Sequence, residues 1–166
     1  DPPREHPTDT YHIVNDKEVL LVHVTHFNKL MWNSQDTPSI VIEHGVMLPG
    51  IKEYSGVLEK GIVIINNLEE RGRRLGLDLY LKAKERIPLD LFGMGSETIG
   101  GMGEIPYNLL RDKISKYRFY FHPVRYTSLG LTLLEAMSIG MPPVALATTE
   151  IPQLIIDGYT GFSSLN

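Results

Sequence analysis

The sequence predicts an α/β fold, a Rossmann-like parallel sheet with helices on both faces, and three observations carry that expectation. Short β-branched or aromatic runs alternate with polar or amphipathic segments along most of the chain. Those runs end in turn residues, as at Gly45 after SIVIEH, Gly93 after LDLF and Pro123 after YRFYFH. Finally, the helical stretch within SLGLTLLEAMSIGMPP lies between two strand-like runs, YRFYFHP and PVALA, and reads as a crossover between them. Parallel strands need such crossovers, which place helices over the sheet.

The elements follow in order. VLLVHVTH at 19–26 and SIVIEH at 39–44 read as strands separated by the polar stretch MWNSQDTP. Val46 to Gly61, with Pro49, Gly50, Ser55 and Gly56, has little periodicity and reads as a linker. GIVII at 61–65 opens a new unit, followed by a polar segment to Arg74 and a helix whose Leu75, Leu79 and Ala83 fall on one face, ending near Pro88. LDLFG at 89–93 is the next strand and leads into a flexible, Gly-rich loop, GMGSETIGGMGEIP. A short helix from Pro106 to Lys116, the aromatic strand, the Glu135 helix and PVALA come next. The chain closes with a short helix at 151–156, a turn at Asp157-Gly158 and a strand near 161–163.

Composition sets limits. A chain of 166 residues can bury roughly 70% of its unfolded surface, enough for a core without staples. It has no cysteine, which removes disulfides, thiolate metal sites and a cysteine nucleophile. A net charge of −4 lacks the basic excess of nucleic-acid binders. No apolar run is long enough for a membrane span. The polar, proline-rich opening DPPREHPTDT has no hydrophobic signal core and no initial Met, so the chain reads as a fragment or a processed product. His23 and His26, three apart on an expected strand, would point to opposite faces and not share a metal.

The first place to look for a ligand is Ser128 to Thr132. In open α/β sheets ligands bind beyond the carboxyl ends of the strands, where a helix N-terminus offers unpaired amides to a phosphate. Glu135, a carboxylate in an apolar run, lies just inside that helix.

At these residues the chain resembles the donor-binding half of the retaining glycosyltransferases of the GT-B fold, group 1, family 4 type. LGLTLLEAMSIGMPPVALA and IPQLIIDGYTGF are similar to that family's signature, and GIVIINNLEERGRRLGLDLYL with LDLFGMGSE extends the likeness, so about the last hundred residues are covered. The resemblance implies two parts: residues 1–56 as the end of the acceptor-binding domain with its connector, and 57–166 as the nucleotide-sugar-binding domain, truncated at its C-terminus.

It also implies roles. Glu135 matches the glutamate that accepts hydrogen bonds from the ribose hydroxyls, and Gly130, Leu131 and Thr132 match the turn whose amides face the diphosphate. Arg71, Arg73 and Arg74 lie where the family grips the phosphates, and Gly95 lies in its Gly-rich loop. One departure stands out: eight residues before Glu135 the family carries a glutamate that contacts the sugar, and here the residue is Thr127. The sugar would then be read by Thr127, Ser128 or Arg125. The implied donor is a nucleoside diphosphate sugar, with no cofactor and no metal. The implied acceptor is a glycan or lipid-linked chain met through the absent domain, with no nucleic acid involved. The implied location is the cytoplasm, with the inner face of the membrane reached only through parts outside this chain.

Other readings stand beside these. Thr132 and Glu135, three apart, fit a capping box. The arginine cluster fits a solvated turn, the Gly-rich loop a plain connector, and Tyr107 either a base-stacking ring or a core contact. At the level of function, a non-catalytic nucleotide-sugar-binding module that lost the first glutamate is the alternative, with a nucleotide-sugar epimerase of the same architecture behind it.

Overall fold

In a computed structural model, residues 1–50 and 53–165 are described, so the expected linker at Val46 to Gly61 contains two positions, 51 and 52, outside the described residues. The strands are β1 (Leu21–His23), β2 (Ser39–Val41), β3 (Leu58–Ile64), β4 (Leu89–Phe92), β5 (Tyr117–His122), β6 (Pro143–Leu146) and β7 (Phe162–Ser164). The α-helices are α1 (His26–Met31), α2 (Leu68–Arg71), α3 (Leu77–Lys84), α4 (Tyr107–Ile114), α5 (Leu131–Ser138) and α6 (Ile151–Leu154).

β1 and β2 form a small parallel pair, and the other five strands form one parallel sheet in the order β4-β3-β5-β6-β7. The order explains where a ligand can enter. From β3 the chain crosses outward to β4, then returns past β3 to β5, so the direction of winding reverses between β3 and β5. The loops leaving the carboxyl ends of those two strands diverge there and leave a crevice.

Both faces of the sheet are covered, because neighbouring residues on a strand point to opposite sides. Ile62 packs with Leu110, Ile114, Leu133, Ala136 and Ile151 from α4, α5 and α6. Its neighbour Val63 packs with Leu68, Leu75 and Tyr80 from the α2–α3 side. Ile62, Val63, Leu68, Tyr80 and Leu133 are fully buried.

Several expectations are corrected. The run at 19–26 is a strand only over Leu21–His23, because Thr25 caps α1 by accepting from the Asn28 amide. His26 therefore begins a helix where a strand was expected. The second run pairs only over Ser39–Val41. β3 starts at Leu58, inside the expected linker. The polar segment before Arg74 is α2 followed by a 3-10 turn, Gly72–Leu75. Leu75 thus precedes α3, and Tyr80 is the buried anchor of that helix. The Gly-rich loop is tied together: Ser96 is buried, its Oγ accepts from the Gly103 amide at 2.9 Å, and the Gly93 amide donates to the Gly103 carbonyl at 2.8 Å. Among the described residues no helix is long and apolar enough to cross a membrane.

Candidate functional site

A cavity of about 400 Å³ opens where the winding reverses, between the carboxyl ends of β3 and β5. Ile64, Ile65 and Asn66 form one wall and Tyr120, His122 and Val124 the other, with Gly130 and Thr132 at the start of α5 and Arg71 and Leu75 opposite. Asp1 borders it, held by its carbonyl accepting from the Trp32 indole at 3.0 Å. A larger cavity, about 580 Å³, lies over β5, β6 and β7 beside α3. Its lining is mostly carbon, including Leu79, Phe121, Val144 and Phe162, with Lys82, Arg86 and Asp157 among its residues. The smaller cavity has the chemistry.

The start of α5 shows why. Gly130 is its N-cap, and no side chain caps the helix. Thr132 is already the second helical residue, so the Thr132–Glu135 capping box does not form. The Leu133 amide is taken by the Gly130 carbonyl at 3.0 Å, while the amides of Leu131 and Thr132 have no partner among the described residues. Two donors and the positive end of the helix therefore face the crevice. Leu131 turns its side chain outward, 46% exposed, so its contribution is the backbone amide.

Glu135 lies one turn inside α5 and is 8% exposed. Its carboxylate has no hydrogen-bond partner among the described residues, and burial pushes its pKa up. It does not line the cavity itself. Its charge is felt by the Tyr120 hydroxyl, whose pKa burial pushes up most, a hydrogen bond with Thr132 opposing that and the Glu135 charge adding to it. The Tyr120 hydroxyl also donates to the Ile64 carbonyl at 3.3 Å.

The arginines divide into two groups. Arg125 donates to both oxygens of Asp78, at 2.6 and 2.8 Å, and to the Arg73 carbonyl at 2.7 Å. Arg73 donates to the same Asp78 at 2.7 Å. These pairs hold the Asp78 carboxyl below the usual range, chiefly through the Arg125 hydrogen bond. Arg125 and Arg73 therefore brace the loop after β5 against the α2–α3 turn and do not reach the cavity. The guanidinium groups of Arg71 and Arg74 make no hydrogen bond or ion pair among the described residues. Arg71 borders both the cavity and the polar hollow beside it, which Arg74, Arg4, Asn67 and the carboxylates of Asp1 and Glu70 share. Burial, then the charges of Arg74 and Arg4, lower the Arg71 pKa, and the Glu70 charge acts against them, so three arginines face two carboxylates around the hollow and an anion would be favoured beside Arg71.

The remaining expected residues fall around this centre. Thr127 lines the cavity. Ser128 does not. It is buried with its Oγ 3.3 Å from the Thr25 Oγ, joining the turn before α5 to the start of α1. Gly95 has φ +67° and begins the 3-10 turn Ser96–Ile99, with Asn67 close above it, beside the cavity but outside its wall. Tyr107 donates to the Met47 carbonyl at 2.8 Å, away from the site. Among the described residues no group of three His, Asp or Glu is arranged to hold a metal.

Two residues escaped the sequence reading. His122, the last residue of β5, is 3% exposed and lines the cavity; a histidine at a strand end before proline was the available signal. Glu150, 6% exposed, accepts from the amides of His26 and Phe27, both at 2.9 Å, and caps α1 from more than a hundred residues away. No local pattern could announce that.

The fold matches solved structures. It is similar to the structure titled "Crystal Structure of TarM", with a TM-score of 0.65 and 15% identity over 86% of this chain and 32% of that one. It is also similar to "Crystal structure of GtfA/B complex", with a TM-score of 0.60 and 18% identity over 89% of this chain and 34% of the other. At such identities the likeness establishes the fold, Rossmann-like α/β of the GT-B type, and the chain spans about a third of the length of these neighbours. No curated protein matches the sequence. Residues 96–164, which run from the Gly-rich loop through α5 and its cavity-facing turn to β7, match the family described as "Glycosyl transferases group 1".

Proposed function

We propose that this chain is the donor-binding part of a glycosyltransferase. Its parent transfers a sugar, with retention, from a nucleoside diphosphate sugar to a glycan or lipid-linked acceptor. The observation that carries the reading is the convergence, on the crevice between β3 and β5, of two partnerless amides at the start of α5 and the unpaired Arg71. A diphosphate supplies what those groups lack, because it accepts from amides and offsets cations together. Glu135, just behind the cavity wall and without a hydrogen-bond partner among the described residues, is the acceptor for ribose hydroxyls in this reading.

The arrangement suits a leaving group. As the bond between the sugar and the diphosphate breaks, negative charge grows on the departing oxygen, and fixed donors that strengthen with that charge lower the barrier. The acceptor hydroxyl attacks on the same face and yields its proton to the departing diphosphate. Arg71 and Arg74 provide the positive charge in this reading, which is therefore metal-independent. The isolated chain binds donor but transfers little, because the acceptor site belongs to the rest of the parent. Thr127 on the cavity wall favours one second reading, a binding module without transfer; sugar release or transfer by the full parent separates the two.

Thermal unfolding with UDP, GDP, dTDP and ADP and their sugar esters tests the proposal. Ligand at a hundred times its Kd adds about 2.7 kcal/mol, or roughly 5–10 °C for a domain of this size. Arg71→Ala and Glu135→Ala should reduce the shift, and Arg73→Ala should keep it. If none of these compounds raises the melting temperature, the reading of the cavity is wrong.

A further inference from the structure

His122 ends β5 at the wall of the cavity, and its two ring nitrogens have different surroundings. Nδ1 is buried with no hydrogen-bond partner among the described residues. Nε2 also has no partner among the described residues but is not sealed from open space, so it is the nitrogen that the cavity can reach. The ring is fixed from both sides. It stacks on Tyr120 with centroids 5.9 Å apart and 27° between planes, and Gly130 approaches so closely that an added Cβ would lie 2.8 Å from Cε1. An imidazole so held, with no internal partner, is a polar group arranged for something that comes from outside.

We propose that His122 contacts a hydroxyl of the transferred sugar of the bound donor through Nε2, and so determines which sugar is accepted. This rests on the donor reading of the cavity. Burial lowers the His122 pKa to about 4, and the adjacent helix start also disfavours a cation there. The ring is therefore neutral at physiological pH, a single donor or acceptor suited to a hydroxyl. Phosphate charge is served by Arg71 and the α5 amides, and ribose by Glu135. The sugar remains, and the wall near it is neutral: Thr127 brings only a hydroxyl, and Asp1 at the border is the one carboxylate among the described lining residues.

The test compares each nucleoside diphosphate with its sugar ester: UDP with UDP-glucose, GDP with GDP-mannose, ADP with ADP-glucose and dTDP with dTDP-glucose. Calorimetry is run on the 166-residue chain and on His122→Phe and His122→Gln. For the pair that binds, His122→Phe should weaken the sugar ester about threefold to tenfold, the range of one neutral hydrogen bond, and leave the plain diphosphate unchanged. His122→Gln, which restores a polar group, should recover part of the loss. The ¹⁵N resonance of His122 Nε2 in the unaltered chain should move with the ester and stay with the diphosphate, a readout that needs no variant to fold. Equal losses for both ligands, no loss for either, or an unmoved resonance would overturn the proposal while leaving the cavity a nucleotide site. Failure of every compound to bind the unaltered chain would remove the donor reading and this inference together.

Discussion

Gly130→Ala tests the packing that shapes the cavity. Gly130 has φ −81° and ψ 112°, extended backbone that alanine adopts freely, so any cost is steric. The new methyl would lie 2.8 Å from His122 Cε1, well inside ordinary van der Waals distance. The ring cannot retreat easily, because it is 3% exposed and stacked on the fully buried Tyr120. Relief of such overpacking typically costs about 1–3 kcal/mol. With a urea dependence near 2 kcal/mol per molar, the unfolding midpoint should fall by about 1 M. His122→Ala alone leaves a hole and should cost about 2–4 kcal/mol, but in that background the methyl has room. The double variant should then be more stable than the sum of the two losses predicts, by roughly 1–2 kcal/mol. Urea unfolding of the four proteins measures the coupling, and strict additivity would refute the claim that His122 and Gly130 are packed as a unit.

Three further outcomes concern His122, Glu135 and Glu150. His122 is held neutral with a pKa of about 4 against 6.5 unfolded, so the unfolded chain binds more protons between those values. Its contribution is complete above pH 6.5 and lost as pH falls toward 4, roughly 3 kcal/mol in all; unfolding measured across that window should show a flatter decline in His122→Phe. Glu135 has the opposite sign: burial raises its pKa, so its penalty is absent below the ordinary carboxylate pKa and grows as pH rises through the raised one. Glu135→Gln should therefore melt higher than the unaltered chain at pH 7 and alike at pH 4, while losing donor binding; a lower melting point at pH 7 would mean the carboxylate has a stabilising partner. Removing Glu150, which accepts from two α1 amides at 2.9 Å while 6% exposed, costs two charge-assisted bonds. Glu150→Ala should weaken α1 docking by about 2–4 kcal/mol, visible as faster amide exchange from Leu21 to Val41, and unchanged exchange there would contradict the capping role.

What was legible in the sequence was what is local. The five-strand parallel sheet follows from apolar runs closed by Gly93 and Pro123, and the α5 turn from LGLTLLEAM, because each pattern fits within one element. The Thr132–Glu135 spacing left a capping box open as an alternative for the same local reason: the motif is present, but the helix starts at Leu131, and Thr132 contacts Tyr120 instead. α1 was hidden because HFNKLM is too short and mixed to show a period, and its cap comes from Glu150. The division of the arginines was hidden as well. Arg71, Arg73 and Arg74 look alike in sequence, and only the fold brings Asp78 to Arg73 and Arg125, leaving Arg71 and Arg74 unpaired. His122 needed the third dimension too, since its significance depends on the reversal of strand order between β3 and β5.

The most direct test of the central claim is a crystal structure of the chain with the nucleoside diphosphate that stabilises it most. The account predicts phosphate oxygens on the amides of Leu131 and Thr132 with Arg71 beside them, and ribose hydroxyls directed at Glu135. A nucleotide in the groove over β5, β6 and β7, or one bound with Glu135 and Arg71 both untouched, would contradict it.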